Sequence, residues 1–332
     1  MSSHLACNLA GLVALALGEN ERALEWFGRA LALVPGQPDV LANRGVALQQ
    51  LGRAAEALAA YGKAVETGCA KPEVFYNRGN LLRAAGRLGD ALASYEEAFW
   101  LNPAYVEALR AAALVLRDLG RREKALELLD EAVRQRPGFA DALNDRGNVL
   151  QELERFEEAL LAYNAALGVV PRRADILSNR GSTWLALGQC QNAGDDFRAA
   201  LQIDPAIAEA WSNLGNLLLT QLSPDAALEA YDKALALRPS YAEALCGRAV
   251  ALKYLCRFEE ALAGFDKAIA LDAASPHIKN NKGALLLLQG NFEQGLDLYE
   301  FRWSNAGTAK DLAKFDAPLW NGEDVSGRSI AV

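Results

Sequence analysis

Residues 72–105 read PEVFYNRGNLLRAAGRLGDALASYEEAFWLNPAY. Phe75, Gly79 and Leu82 stand at i, i+4 and i+7, which places them on one face of a helix. Glu73 falls in the first turn, where negative charge complements the helix dipole. Gly86 suits the C-terminal cap of that helix. Pro103 cannot continue a second one, because its ring clashes with the preceding turn. Two short helices thus fit into 34 residues. In the first of them sits NRGN, residues 77–80, although asparagine and glycine are among the poorer helix formers.

The pattern repeats. Prolines at 35, 103, 137, 171, 205 and 239 are spaced by 34 residues or by twice that, with Cys69 filling the gap. Ala30, Ala64, Ala98, Ala132, Ala166, Ala200, Ala234 and Ala268 keep the same step, as do Ala23, Ala57, Ala91, Ala125, Ala159, Ala193, Ala227 and Ala261. Large residues follow it at Phe27, Tyr61, Tyr95, Leu129, Tyr163, Phe197, Tyr231, Phe265 and Tyr299. A small residue recurs in the middle of each first helix: Gly11, Gly45, Gly79, Ala113, Gly147, Gly181, Gly215, Ala249 and Gly283. A bulky side chain there would overpack the contact between the two helices. Breakers recur at Gly18, Gly52, Gly86, Gly120, Gly188 and Gly290, and most first helices open on an acid.

A 34-residue period of this kind resembles the tetratricopeptide repeat, a helix–turn–helix unit that stacks into a right-handed superhelix. The resemblance implies an all-α fold, a right-handed α-solenoid superhelix of about nine such units over residues 4–303. Units begin at His4, Pro38, Pro72, Val106, Ala140, Ala174, Ala208, Ala242 and Pro276, and a loop-rich tail occupies residues 304–332. In that register HLACNLAGLVALALG (residues 4–18) is the first helix of the first unit. It does not read as a secretory leader, because no basic segment precedes it and no small-residue cleavage site follows. Its apolar character fits either an array cut from a longer one or a face that pairs with another chain, so self-association is expected as one possibility.

Counted within a unit, the sixth residue is Asn43, Asn77, Asn179, Asn213 or Asn281, and the ninth is Asn80, Asn148 or Asn216. Residues six and nine lie about 60° apart on a helix, away from the buried face. The resemblance implies that this side lines a concave groove, where the amides form a ladder. An amide both donates and accepts, so such a ladder suits the main chain of an extended peptide; the alternative is hydrogen bonding between repeats or simple solvation. The ladder is similar to that of the repeat region of the O-linked N-acetylglucosamine transferases, with interruptions at Leu9, Ala111, Asp145 and Gly247. The seventh residue is basic at Arg44, Arg78, Arg146, Arg180, Arg248 and Lys282, which reads as pairing between repeats rather than ligand binding. Another class of the family clamps carboxylate tails with inward-facing cations. Only Arg83, Arg110, Arg117 and Lys253 are candidates here, and the clamp is disfavoured.

Composition narrows the rest. The chain has 332 residues, is 52% hydrophobic and carries a net charge of −8, which speaks against nucleic acid or an anionic membrane as partner. Five cysteines without a C-x-x-C pair and two histidines offer no zinc-site spacing and fit a reducing, cytoplasmic setting. No phosphate loop, G-x-S-x-G or H-E-x-x-H occurs, so neither catalysis nor a cofactor or metal is expected in these residues. The tryptophans within repeats read as packing. In the tail, YEFRW (residues 299–303), Phe315, Pro318, Trp320, Gly322, Glu323 and the final SIAV resemble the junction of bacterial proteins whose tetratricopeptide repeats run into a glycosyltransferase-like domain. The other reading of Phe315 and Trp320 is a cover for the edge of the last repeat.

Overall fold

The computed structural model describes residues 3–304, and the features expected at Phe315, Pro318, Trp320, Gly322, Glu323 and the terminal SIAV lie outside the described residues. Among those residues there are eighteen α-helices and no strand. Two compact units divide at residue 172. The first holds five hairpins: α1 (His4–Ala16) with α2 (Asn20–Leu33), α3 (Pro38–Gln50) with α4 (Ala54–Glu66), α5 (Pro72–Ala84) with α6 (Leu88–Leu101), α7 (Val106–Asp118) with α8 (Arg122–Gln135), and α9 (Ala140–Glu152) with α10 (Phe156–Val169). The second holds four: α11 (Ala174–Ala186) with α12 (Cys190–Ile203), α13 (Ala208–Thr220) with α14 (Pro224–Leu237), α15 (Ala242–Tyr254) with α16 (Phe258–Leu271), and α17 (Pro276–Leu288) with α18 (Phe292–Tyr299). A 3₁₀ turn, Glu300–Ser304, follows.

Most hairpins close on a small-against-large contact, while in the last one Gly283 lies against the backbone of Leu298 and Tyr299. A β-carbon added to Gly79 would stand 2.6 Å from Cε1 of Tyr95, well inside van der Waals contact. The two hairpins with alanine at this place adjust on the other side. Ala113 belongs to the hairpin whose second helix carries Leu129 instead of an aromatic ring, and Ala249 lies against Gly264, where an added β-carbon would come within 3.1 Å of the alanine's own. The alanine series at 23, 57, 91 and onward is wholly buried, as are the rings of Phe27, Tyr61, Tyr163, Phe197, Tyr231 and Phe265. Burying each such ring contributes about 2–3 kcal/mol. A buried tyrosine hydroxyl, however, needs a hydrogen-bond partner.

The turns inside the hairpins adopt a left-handed residue, with φ from +71° to +81° at the six expected glycines. The turn also forms where glycine is missing. Glu154, Leu222 and Cys256 hold φ of +59°, +55° and +58°, and the same closing bonds appear, such as Ser223 N–H to the Leu218 carbonyl at 2.9 Å. A left-handed conformation costs a residue with a β-carbon about 1–2 kcal/mol. Second helices end two residues before the repeated proline, as at Leu101 before Pro103, because the residue preceding proline is pushed out of the helical region.

Trp100 departs from the packing expected of the tryptophans. It is 73% exposed, on the outer side of α6. Trp26, Trp184, Trp211 and Trp303 are half-buried, and the Trp211 indole N–H donates to the Pro205 carbonyl at 3.0 Å. No helix among the described residues is long and apolar enough to cross a membrane.

Candidate functional site

The eight asparagines of the ladder are half-buried, apart from Asn216, which is exposed. In the first unit Asn43 Nδ2 donates to Asn8 Oδ1 of α1 at 3.2 Å. The second unit repeats the contact: Asn213 Nδ2 lies 3.5 Å from Ser178 Oγ of α11, and Asn281 Nδ2 lies 3.6 Å from Cys246 Sγ of α15. Each pair is 35 residues apart, so the fifth residue of one first helix meets the sixth residue of the next. Asn281 also lies 3.1 Å from His277 Nε2. Burial pushes the pKa of the Tyr61 phenol up to about 12, and the nearby Asn77 amide lowers it in part. At Asn179 it is the main-chain carbonyl that accepts, from the Ser182 and Thr183 hydroxyls of the same helix at 3.2 and 3.1 Å. Between-repeat hydrogen bonding is thus present at this position, and it engages the donor end of the amide.

The ninth residue behaves differently. Tyr95, Tyr163 and Tyr231 each donate their hydroxyl to an amide oxygen 15 residues earlier, on Asn80, Asn148 and Asn216, all at 2.7 Å. These tyrosines belong to the second helices, so the bond closes each hairpin on itself. Where the large residue has no hydroxyl, as at Phe27, Leu129, Phe197 and Phe265, the ninth residue is Leu12, Leu114, Ser182 or Val250. Tyr61, opposite Val46, gives its hydroxyl to Gln49 Oε1 at 3.0 Å instead. Asn80, Asn148 and Asn216 therefore hold a structural bond as well as a place in the ladder. The 15-residue Asn–Tyr spacing carried that signal in the sequence.

The interruptions have separate causes. At Gly247 an added β-carbon would lie 2.4 Å from Cζ of Tyr231, so the tyrosine occupies the space a side chain would need. Ala111 is buried, and Leu9 lies exposed on the first helix of its unit. Asp145 keeps the between-helix register with another chemistry: Arg110 Nε, 35 residues back, donates to its Oδ2 at 2.5 Å. Burial of this carboxyl pushes its pKa up, and the attraction of Arg110 offsets that only in part.

The comparisons with known proteins bear on the same repeats. The sequence matches the family described as Tetratricopeptide repeat at residues 38–67, 76–140, 144–206 and 208–241, and the one described as TPR repeat at 11–52. Together these stretches span more than half of the chain. The chain belongs to the tetratricopeptide-repeat family. Among solved structures it is similar to the APC/C hetero-tetramer Cut9-Hcn1, at 16% identity and TM-score 0.63, over 80% of this chain and 52% of that one. It therefore spans about half the length of that relative. A tetratricopeptide repeat protein from Parabacteroides merdae is 19% identical with TM-score 0.60, over 79% of this chain and 100% of that one. Both likenesses concern the fold. No curated protein matches the sequence.

Charge on the tetratricopeptide hairpins is largely paired. Arg83 Nη2 meets Asp118 Oδ2 at 2.9 Å, and Arg117 lies 3.8 Å from Glu152, each reaching the next first helix. The seventh-residue cations Arg146, Arg248 and Lys282 bond to Asp130, Asp232 and Asp266 of the preceding second helix at 2.5–2.6 Å. Arg180 turns to its own second helix and bonds Asp196 at 2.7 Å. Exposed pairs of this kind contribute about 0–1 kcal/mol each, so they set register more than stability. Arg83, Arg110 and Arg117 face acids already, and Lys253 lies 5.4 Å over the Tyr254 ring, an arrangement unsuited to clamping a ligand's carboxylate. Among the described residues no group of three or more His, Cys, Asp or Glu is placed to hold a metal.

Proposed function

We propose that this chain is a protein-interaction scaffold that binds an extended peptide or protein segment along the face of its first helices, at Asn43, Asn77, Asn80, Asn148, Asn179, Asn213, Asn216 and Asn281. The observation that supports this reading most is the repeated half-buried amide, held in place by a neighbour at one end. A held amide loses little conformational entropy when it binds, and it offers main-chain hydrogen bonds without regard to the ligand's side chains. The test is the double variant Asn77→Ala with Asn213→Ala, measured against an array of unstructured peptides. Binding is expected to fall about tenfold, for two hydrogen bonds lost, with helical circular dichroism unchanged. Equal affinity in the variant would end the reading.

Two further readings have support of their own. Residues 299–323 resemble a repeat–transferase junction, which supports a recruiting role beside a protein O-glycosyltransferase domain. Reading the codons after Val332 tests it, a nucleotide-sugar-binding pattern being the expected result and a stop codon the contrary one. Leu5, Leu9 and Val13 of α1 are each at least 60% exposed, which supports self-association through that helix. Sedimentation over a range of concentrations tests this, and a monomer throughout would remove it.

A further inference from the structure

The amides of the first helices are locked in opposite senses. Asn216 gives its oxygen to the Tyr231 hydroxyl, and Asn80 gives its oxygen to Tyr95. Both rings are buried, so each hydroxyl proton must find its acceptor inside the hairpin. Turning either amide over would replace that acceptor with an N–H group. The amide nitrogens therefore stay on the far side of the bond. They are not enclosed: the buried side-chain polar atoms without a partner among the described residues are Asn20 Oδ1 and Asn280 Oδ1. Three residues earlier the sense is reversed. Asn213 turns an N–H toward Ser178 Oγ, 3.5 Å away, which leaves its carbonyl oxygen on the open side.

We propose that the N-x-x-N turn of Asn213 with Asn216 is a fixed acceptor–donor pair that holds an extended peptide by its main chain, and that Asn80 presents the same donor in the other compact unit. The sixth-residue oxygen takes a peptide N–H, and the ninth-residue nitrogen donates to a peptide C=O. Side chains three residues apart on a helix are neighbours, with β-carbons about 5–6 Å apart. An extended chain offers N–H and C=O groups in alternation along its edge, so a pair of opposite polarity matches it while two donors or two acceptors would not. The second-helix tyrosines set this polarity although they need not touch the ligand; they are positioning residues. The inference rests on the peptide-binding reading and adds to it which end of each amide the ligand meets.

Replacing the ninth residue by aspartate separates structure from recognition. A carboxylate at 80 or 216 still accepts the tyrosine hydroxyl but has no hydrogen to donate. The measurement is titration of a fluorescent, end-blocked, unstructured peptide of alanine, serine and threonine into wild type, Asn80→Asp and Asn216→Asp, with the melting temperature recorded for each. The expected result is a loss of about threefold to fivefold in affinity for each variant with melting temperatures held. Wild-type affinity in both variants overturns the donor assignment and leaves peptide binding standing. Failure of the wild type itself to bind the probe overturns both. The two variants lie in different units, so misfolding of one leaves the other to decide.

Discussion

The Tyr231 hydroxyl lies 2.7 Å from Asn216 Oδ1, and the two residues belong to opposite helices of one hairpin. The same bond joins Tyr95 to Asn80 and Tyr163 to Asn148. It accounts for an asparagine inside a helix that would form better without one: the lost propensity is a few tenths of a kcal/mol, while the bond returns about 1 kcal/mol.

If that accounting holds, Tyr231→Phe and Asn216→Ala each remove the same interaction. Each single variant is expected to lose about 1 kcal/mol, and the double variant less than the sum, with a coupling of about 0.5–1 kcal/mol. Urea denaturation of the four proteins measures this. Simple additivity would mean that the bond contributes nothing.

Leu222 offers a gain rather than a loss. It is 79% exposed and holds φ at +55°, so its side chain contributes little burial while its backbone is strained. Leu222→Gly is expected to raise stability by about 1 kcal/mol, because the cost of a left-handed residue with a β-carbon exceeds the entropy that glycine adds to the unfolded chain. The thermal midpoint decides it, and a lower midpoint would point to an unseen role for the leucine.

Asp145 makes stability depend on pH. Its carboxyl titrates above the ordinary range in the folded protein, because burial outweighs the help of Arg110. The folded state then holds the proton where the unfolded state has released it. Stability is therefore full below the unfolded carboxylate value and falls as pH rises from that value through the folded one. Asp145→Asn removes this decline. Urea midpoints of variant and wild type across the acid range should diverge in the variant's favour as pH rises, and parallel curves would contradict the assignment.

Much of the fold is legible in the order of residues. Glycine opposite an aromatic ring, as at Gly79 and Tyr95, shows in the 34-residue step because most hairpins pose the same packing problem. The glycine turns are legible for a like reason, since few other residues tolerate positive φ. Yet Glu154, Leu222 and Cys256 adopt it too, held there by the hairpin on either side. Trp100 reads as a packing residue by composition, but its place on α6 faces outward.

The candidate site divides in the same way. Asn77, Asn80, Asn213 and Asn216 stand on one side of their helices by helical geometry alone, and the sequence is enough to say so. Which end of each amide is taken is a different matter. It depends on whether a hydroxyl from the second helix, or an atom of the first helix before it, arrives within hydrogen-bonding reach. Spacing along one helix carries no such information. Only the packed hairpins bring Tyr231 to Asn216 and Ser178 to Asn213 and so decide the sense of each amide.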